Sequence, residues 1–246
     1  MNAKELFQAG RLADAIQSLT AEVRSNPTDS RRRSFLFELL SLSGEFDRAA
    51  KHLDVLAQAS PAAEVGALLY KSAIAAERHR QALFSKGEQP AAASDATSGP
   101  GLLNGKPFNS IEDADPRLGC RLEAFVAGEY MLIPFRYIGS FQLSAPRSVR
   151  DLIWSSAILK TSSDFAAKEL GEVLVPVLYP LSWQHANEAV KLGRATEWQE
   201  LQPGMPVPLG QKMLVVDGEE VVPLLEVRDL QFSAVQQEAS SNASSS

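Results

Sequence analysis

The sequence predicts an α+β protein: an all-α segment of helical repeats over residues 1–86, then a mostly antiparallel β domain with short helices over residues 108–233. Three observations carry this. Before Lys86 there are only three glycines and two prolines, and apolar residues recur at helical spacing, as in Ala15, Ile16, Leu19 and Val23. A set of residues repeats at a fixed interval within that segment. After residue 107 the apolar pattern shortens to strand period, broken by turn residues. Charge divides the chain at the same place, with a net +2 over residues 1–86 and −8 over the remainder.

The interval is 34 residues. Gly10, Ala15 and Pro27 recur as Gly44, Ala49 and Pro61, and Leu12 and Leu19 as Phe46 and Leu53. That is the helix–turn–helix period of the tetratricopeptide repeat. The glycine ends a helix where positive φ is cheap, the alanine lets paired helices approach, and the proline opens the next helix. Two departures stand out: the first repeat is cut short, and Phe37 occupies a position where a small residue is usual. A third first-helix, Ala62–Phe84, follows the Ser60-Pro61 cap and lacks its partner helix, so the second segment is expected to pack on the open end. Continuing the register places Phe7, Arg31, Ser34, Glu38, Ser41, Val65, Leu68 and Ser72 along a concave face. These are the candidate partner-binding residues.

Residues 87–107, rich in Ala, Ser, Gly and Pro, read as a flexible linker. In the second segment, RLEAFV and YMLIPF flank a three-residue turn, AGE, and KMLVV and EEVVPLLEV flank a two-residue turn, Asp217-Gly218. Further strands are expected at Ile138–Leu143, Glu172–Leu178 and Glu197–Leu201, and short helices at Ser148–Ser155 and Ala186–Leu192. Pro134, Pro176 and Pro223 must sit at strand ends, bulges or edges, since each lacks a ladder donor. Residues 234–246 are polar and low in complexity and read as a disordered tail.

Composition narrows function. With 45% hydrophobic and 22% charged residues and a net charge of −6, collagenous, coiled-coil and wholly disordered readings fall away. No apolar run or leader pattern points to a membrane, so the expected address is cytoplasmic. Cys120 is the single cysteine, too few for a disulfide or a thiolate metal site. His52, His79 and His185 are isolated. The Arg31-Arg32-Arg33 run at a helix start, in an acidic chain, reads as a solvated face and not as a nucleic-acid footprint. Asp113, Asp115 and Glu123 raise a paired-carboxylate reading, set against a simple turn in which aspartates accept local backbone N–H groups before the first strand. No nucleophile elbow, phosphate loop or dinucleotide fingerprint occurs, and no catalytic, cofactor or metal residue is assigned.

The segments GRLADAI, DADPRLG, LEAF, GEYMLIPF, DLIW, LGRATEW and LGQKML together resemble the ImpE/SciE-type accessory proteins of bacterial type VI secretion systems, also called TagJ, from Lys4 to Phe232. The matching positions are Asp113, Asp115, Arg117, Leu118, Gly119, Glu123, Pro134, Asp151 to Trp154, Arg194 with Trp198, and Gly210-Gln211. Departures are a longer linker, Lys212 where arginine is common, and the serine tail. The resemblance implies a non-enzymatic adaptor of a bacterial cytoplasm, with these signature residues structural. It implies binding to the N-terminal helical segment of the sheath small subunit (TssB) and a link to the sheath-recycling AAA+ ATPase, without cofactor, nucleic acid or membrane. A concave repeat surface suits an amphipathic helix. Two alternatives remain at this level. An enzyme would need Asp113, Asp115 and Glu123 to converge in a pocket, and a general peptide-binding chaperone would need a cationic clamp, against which Glu38 argues.

Overall fold

The computed structural model describes residues 1–88, 98–163, 165, 170–202 and 204–233. Five helices come first: α1 (Ala3–Gln8), α2 (Leu12–Ser25), α3 (Ser30–Leu42), α4 (Phe46–Leu56) and α5 (Pro61–Lys86). The stripe of α2 buries Leu12, Ala15, Ile16, Leu19 and Val23, the spacing a core-facing helix needs. Gly10 and Gly44 close the repeat turns at φ 80° and 75°, a conformation that costs other residues dearly. Ala15 and Ala49 are fully buried where paired helices meet. The prolines part ways. Pro61 is the first residue of α5, with the Ser60 hydroxyl accepting Ala63 N–H at 3.1 Å. Pro27 instead precedes α3 by three residues, and Asp29 opens that helix by accepting Arg32 N–H at 3.0 Å. An aspartate N-cap satisfies a free amide, which proline cannot do.

An eight-stranded, wholly antiparallel sheet follows, in the order β2-β1-β13-β6-β7-β8-β4-β5. Its strands are β1 (Gly101–Leu103), β2 (Lys106–Phe108), β4 (Arg121–Val126), β5 (Glu129–Pro134), β6 (Ile138–Leu143), β7 (Trp154–Thr161), β8 (Gly171–Pro176) and β13 (Asp229–Phe232). A three-stranded sheet joins β3 (Ile111–Asp113), β11 (Met213–Val216) and β12 (Glu220–Pro223). A two-stranded ribbon pairs β9 (Thr196–Gln202) with β10 (Met205–Gly210), and the short helix α6 is Glu188–Lys191.

Several expectations are corrected. The linker reading of 87–107 fails for its C-terminal part: β1 and β2 form a hairpin about Asn104-Gly105, and β1 pairs with β13 near the far end of the chain. An Asn-Gly turn outweighs a Gly/Pro-rich composition. Residues 89–97 and the tail lie outside the described residues. The two hairpin loops exchange lengths. Val126 pairs with Glu129 across Ala127-Gly128, both at positive φ, giving a two-residue loop. Val216 pairs with Glu220, leaving three, because Asp217 accepts Asn109 and Ser110 N–H at 2.8 Å and is tied to the approach to β3. The expected helix Ser148–Ser155 is a 3-10 turn, Val149–Leu152, running into β7. Strands β3, β10 and β13 were absent from the sequence reading; Pro206 and Pro208 are tolerated in β10 because it is an edge. Pro134, Pro176 and Pro223 each close a strand.

The cores do not respect the boundary between segments. One apolar cluster joins Leu36, Leu40, Ala67 and Ile74 of the helices to Phe125, Trp154 and Leu174 on the sheet face turned toward α5, and to Ile153 just before β7. The opposite sheet face, including Ala124, Leu159 and Val175, packs on Ile111, Leu214 and Val216 of the smaller sheet.

Candidate interaction surface

Of the three candidate carboxylates, Asp113 and Glu123 converge, but on cations. Arg80 from α5 donates Nε to Glu123 Oε1 at 2.7 Å and Nη2 to Glu123 Oε2 at 2.8 Å. It also donates Nη1 to Glu77 at 2.8 Å and Nη2 to the Leu178 carbonyl at 2.8 Å. Lys212 reaches Glu123 at 2.6 Å and Asp113 at 3.0 Å, with its ammonium 4.9 Å from the centre of the Tyr179 ring. Tyr130 donates its hydroxyl to Glu123 at 2.7 Å, and Trp154 donates Nε1 to Glu77 at 2.9 Å. Arg80, Glu77, Glu123, Asp113 and Lys212 are all buried. Asp115, fully buried, turns away to Arg117, which forks onto both its oxygens, and Arg117 covers the Phe84 ring of α5.

Burial alone would push the Glu123 carboxyl up, but the charges of Arg80 and Lys212 hold it below its ordinary range. Asp113 has the weaker counter-charge: burial pushes it up to about 6 against the pull of Lys212. The space beside Arg80 and Glu77 is about 20 Å³, room for a water at most. Among the described residues no group of His, Cys, Asp or Glu is arranged to hold a metal ion. This cluster is an ionic clasp between α5 and the sheet. Its acids Glu77, Glu123 and Asp113 are each paired with a buried cation.

The other signature residues also join the two segments or shape their turns. Asp151 accepts Arg147 and Ser148 N–H at 2.8 Å, capping the turn that leads into Trp154, itself fully buried and stacked on Tyr70. Arg194 donates to the carbonyls of Phe7 and Gln8 at 2.8 and 2.9 Å, closing the end of α1. Gln211 bridges the Gly193 carbonyl and Leu225 N–H. Gly119 sits at φ 57° in the turn that returns the chain to Asp113 and Asp115. A side chain on Gly210 would meet the Ala195 carbonyl. Trp198 stands apart, 55% exposed on the β9–β10 ribbon.

The concave face is largely covered from within the chain. Phe7 is half-buried beneath Arg194 and edge-on to Phe35. Glu38 and Ser41 are buried, with the turn carrying Arg150 and Asp151 packed on α3. Burial pushes the Glu38 carboxyl up to about 7, opposed by Arg150 and reinforced by Asp151. Glu38 and Ser41 are therefore not accessible groove positions and Phe7 is only partly open, because the second segment packs inside the groove as well as at its end. Ser34 lines a cavity of about 250 Å³ between α3, α4 and α5, with Arg150 at its edge. Ser72 is half-buried beside Gly128. Arg31 is exposed, whereas Arg32 pairs with Glu22 and Asp29, and Arg33 binds the Pro27 carbonyl, which ties two of the three arginines to the fold. Val65 and Leu68 remain open at 70% and 66% exposure.

Sequence reading missed Arg80, Glu77 and Arg150. On a helix, Glu77 and Arg80 look like an ordinary i, i+3 surface pair; only the docking of the sheet buries them.

A helical-repeat scaffold clasped through buried ion pairs to an antiparallel sheet domain is the class the fold defines. The tetratricopeptide repeat model matches residues 6–72, and the model of the ImpE protein family matches residues 105–231. The type VI secretion system accessory component TagJ of Pseudomonas aeruginosa is 33% identical over 94% of this chain and 91% of its own length. The chain belongs to the ImpE family. The crystal structure of protein VPA1032 from Vibrio parahaemolyticus, 23% identical, shares the fold at a TM-score of 0.79, covering 93% of this chain and 96% of that one. No helix among the described residues is long and apolar enough to cross a membrane.

Proposed function

We propose that the protein is a non-catalytic accessory component of a bacterial type VI secretion system, an adaptor that binds the N-terminal helical segment of the sheath small subunit and is linked to the sheath-recycling AAA+ ATPase. Membership of the ImpE family and likeness to a relative named as an accessory component support the setting. The buried acids supply no open reaction centre. The observation that carries the binding reading is the exposure of Val65 and Leu68 at concave repeat positions, since large apolar side chains open on a repeat face mark a contact surface.

The test is a calorimetric titration of the full chain with a peptide of the sheath small subunit's N-terminus. A Kd of about 1–10 μM is expected, because a small groove must also offset the ordering of the peptide. Absence of binding by the full chain defeats the reading.

A further inference from the structure

The cavity of about 250 Å³ between α3, α4 and α5 shares no lining residue with the cleft between α5 and the sheet. Phe37, Leu53, Leu56 and Tyr70 give it an apolar wall, with the Phe37 and Tyr70 rings 5.7 Å apart. The facing residues Ala59, Ala63, Gly66 and Ala67 are all small. Gly66 lies well inside α5, where glycine is a poor helix former. Its φ is not positive, and a Cβ built there meets nothing within 4 Å. Neither backbone geometry nor close packing calls for glycine at this position, so what it does is leave the cavity open. At the mouth the lining turns polar. The half-buried Arg150 places its guanidinium 5.2 Å from the centre of the Tyr70 ring. Its Nε is buried, makes no hydrogen bond among the described residues and stands 4.0 Å from Asp151 Oδ1. Ser30 and Ser34 line the same space, and neither hydroxyl has a hydrogen-bond partner among the described residues.

We propose that this cavity binds a small monocarboxylate with an apolar body about the size of a phenyl ring, the body against Phe37 and Tyr70 and the carboxylate on the Arg150 guanidinium; the site goes beyond the adaptor reading and does not depend on it. Volume sets the body. An apolar cavity of about 150 Å³ accepts benzene, so this one has room for a ring and a short chain that carries the charge to the mouth. Two aromatic rings on one side and small residues on the other suit a flat apolar group. Charge sets the head. A guanidinium takes a carboxylate through paired N–H donors, whereas an amine would bring its ammonium against Arg150 and a neutral head would leave the buried Nε unused. The competitor for Arg150 is internal. Glu38, one turn beyond Ser34 on α3, is faced by Arg150 and Asp151 of the turn and by Tyr70 of α5. Burial pushes its carboxyl up to about 7, so at lower pH it is neutral and leaves the guanidinium to the ligand, and at higher pH the two acids compete.

The experiment titrates 3-phenylpropionate into the full chain at pH 6, read by ligand-observed NMR, beside 3-phenylpropanamide, which has the same body and no charge. A Kd of about 0.1–1 mM is expected for the acid, a value suited to so few atoms, with the amide about tenfold weaker or more. Gly66→Leu fills the cavity from a helix position that favours leucine, and it should abolish binding while melting at or above the parent temperature. If that variant does not fold, Ala63→Met fills the same space from the preceding turn. Arg150→Gln should weaken the acid about tenfold. Raising the pH from 6 to 8 should weaken it severalfold in the parent and leave it unchanged in Glu38→Gln. No binding of the acid, equal binding of acid and amide, or parent-like binding by the filled cavity overturns the proposal. So does an affinity that neither Arg150→Gln nor pH alters, because the carboxylate would then lie elsewhere. A peptide ending in phenylalanine that binds about a hundredfold tighter than the free acid would make a chain terminus the occupant and would also overturn it.

Discussion

Glu123 accepts from Arg80, Lys212 and Tyr130 at one buried point, so its charge is what two buried cations depend on. Glu123→Gln keeps the shape and removes that charge; a loss of about 3–5 kcal/mol is expected, the cost of breaking a buried ion pair from one side. Denaturant midpoints would show it, and an unchanged midpoint would remove the clasp from the stability argument. Glu38 works the other way. Its folded pKa of about 7 lies above the ordinary 4.5, so the fold prefers the protonated acid, and stability falls as pH rises between those values. Glu38→Gln should therefore gain about 2–3 kcal/mol at pH 8 and nothing below pH 4.5. Glu123, held below its ordinary range, makes its contribution above about pH 4.5 and loses it as the pH falls. A pH profile of the two variants separates the signs.

At the scale of elements, the repeat turns make a paired comparison. Gly10 and Gly44 share a left-handed backbone, but their surroundings differ: a side chain at 44 meets the Trp183 ring, while one at 10 has only the end of Arg194 nearby. Gly10→Ala should cost about 1 kcal/mol from backbone strain alone, and Gly44→Ala clearly more, because a packed indole must also move. Equal melting shifts would show that Trp183 yields freely. These glycines were legible because their demand is local, and so was the 34-residue period. The strand β7 was not. DLIW followed by SSAILKT offers a capped start and a short apolar run that periodicity cannot assign; its strand state comes from β6 and β8 on either side. β13 was hidden for the same reason, since its partner β1 lies some 130 residues away in sequence, inside what composition marks as linker. Of the candidate surface, the helix wall was readable from the repeat register. Glu172 and Leu174, across a cleft from Leu69, were not, because only the docking of the sheet sets them opposite α5.

The whole molecule follows from where its charges are buried. Glu77 and Arg80 belong to the helices, Glu123 and Lys212 to the sheet segment; all four are buried, and Arg80 and Glu123 pair across the boundary. Trp154 extends the dependence into the apolar core, since it is fully buried against Tyr70 and donates to Glu77. Separating the segments would expose the apolar face of α5 and leave Glu77 and Arg80 without the sheet's partners, a penalty of several kcal/mol against a total stability of about 5–15. The chain should accordingly unfold as one unit despite its two architectures. Calorimetry is expected to give a single peak whose calorimetric and van't Hoff enthalpies agree, and Glu123→Gln should move that whole peak to lower temperature. Two resolved transitions, with only one shifted by the substitution, would mean that helices and sheet hold their structures independently and that the clasp merely orients them.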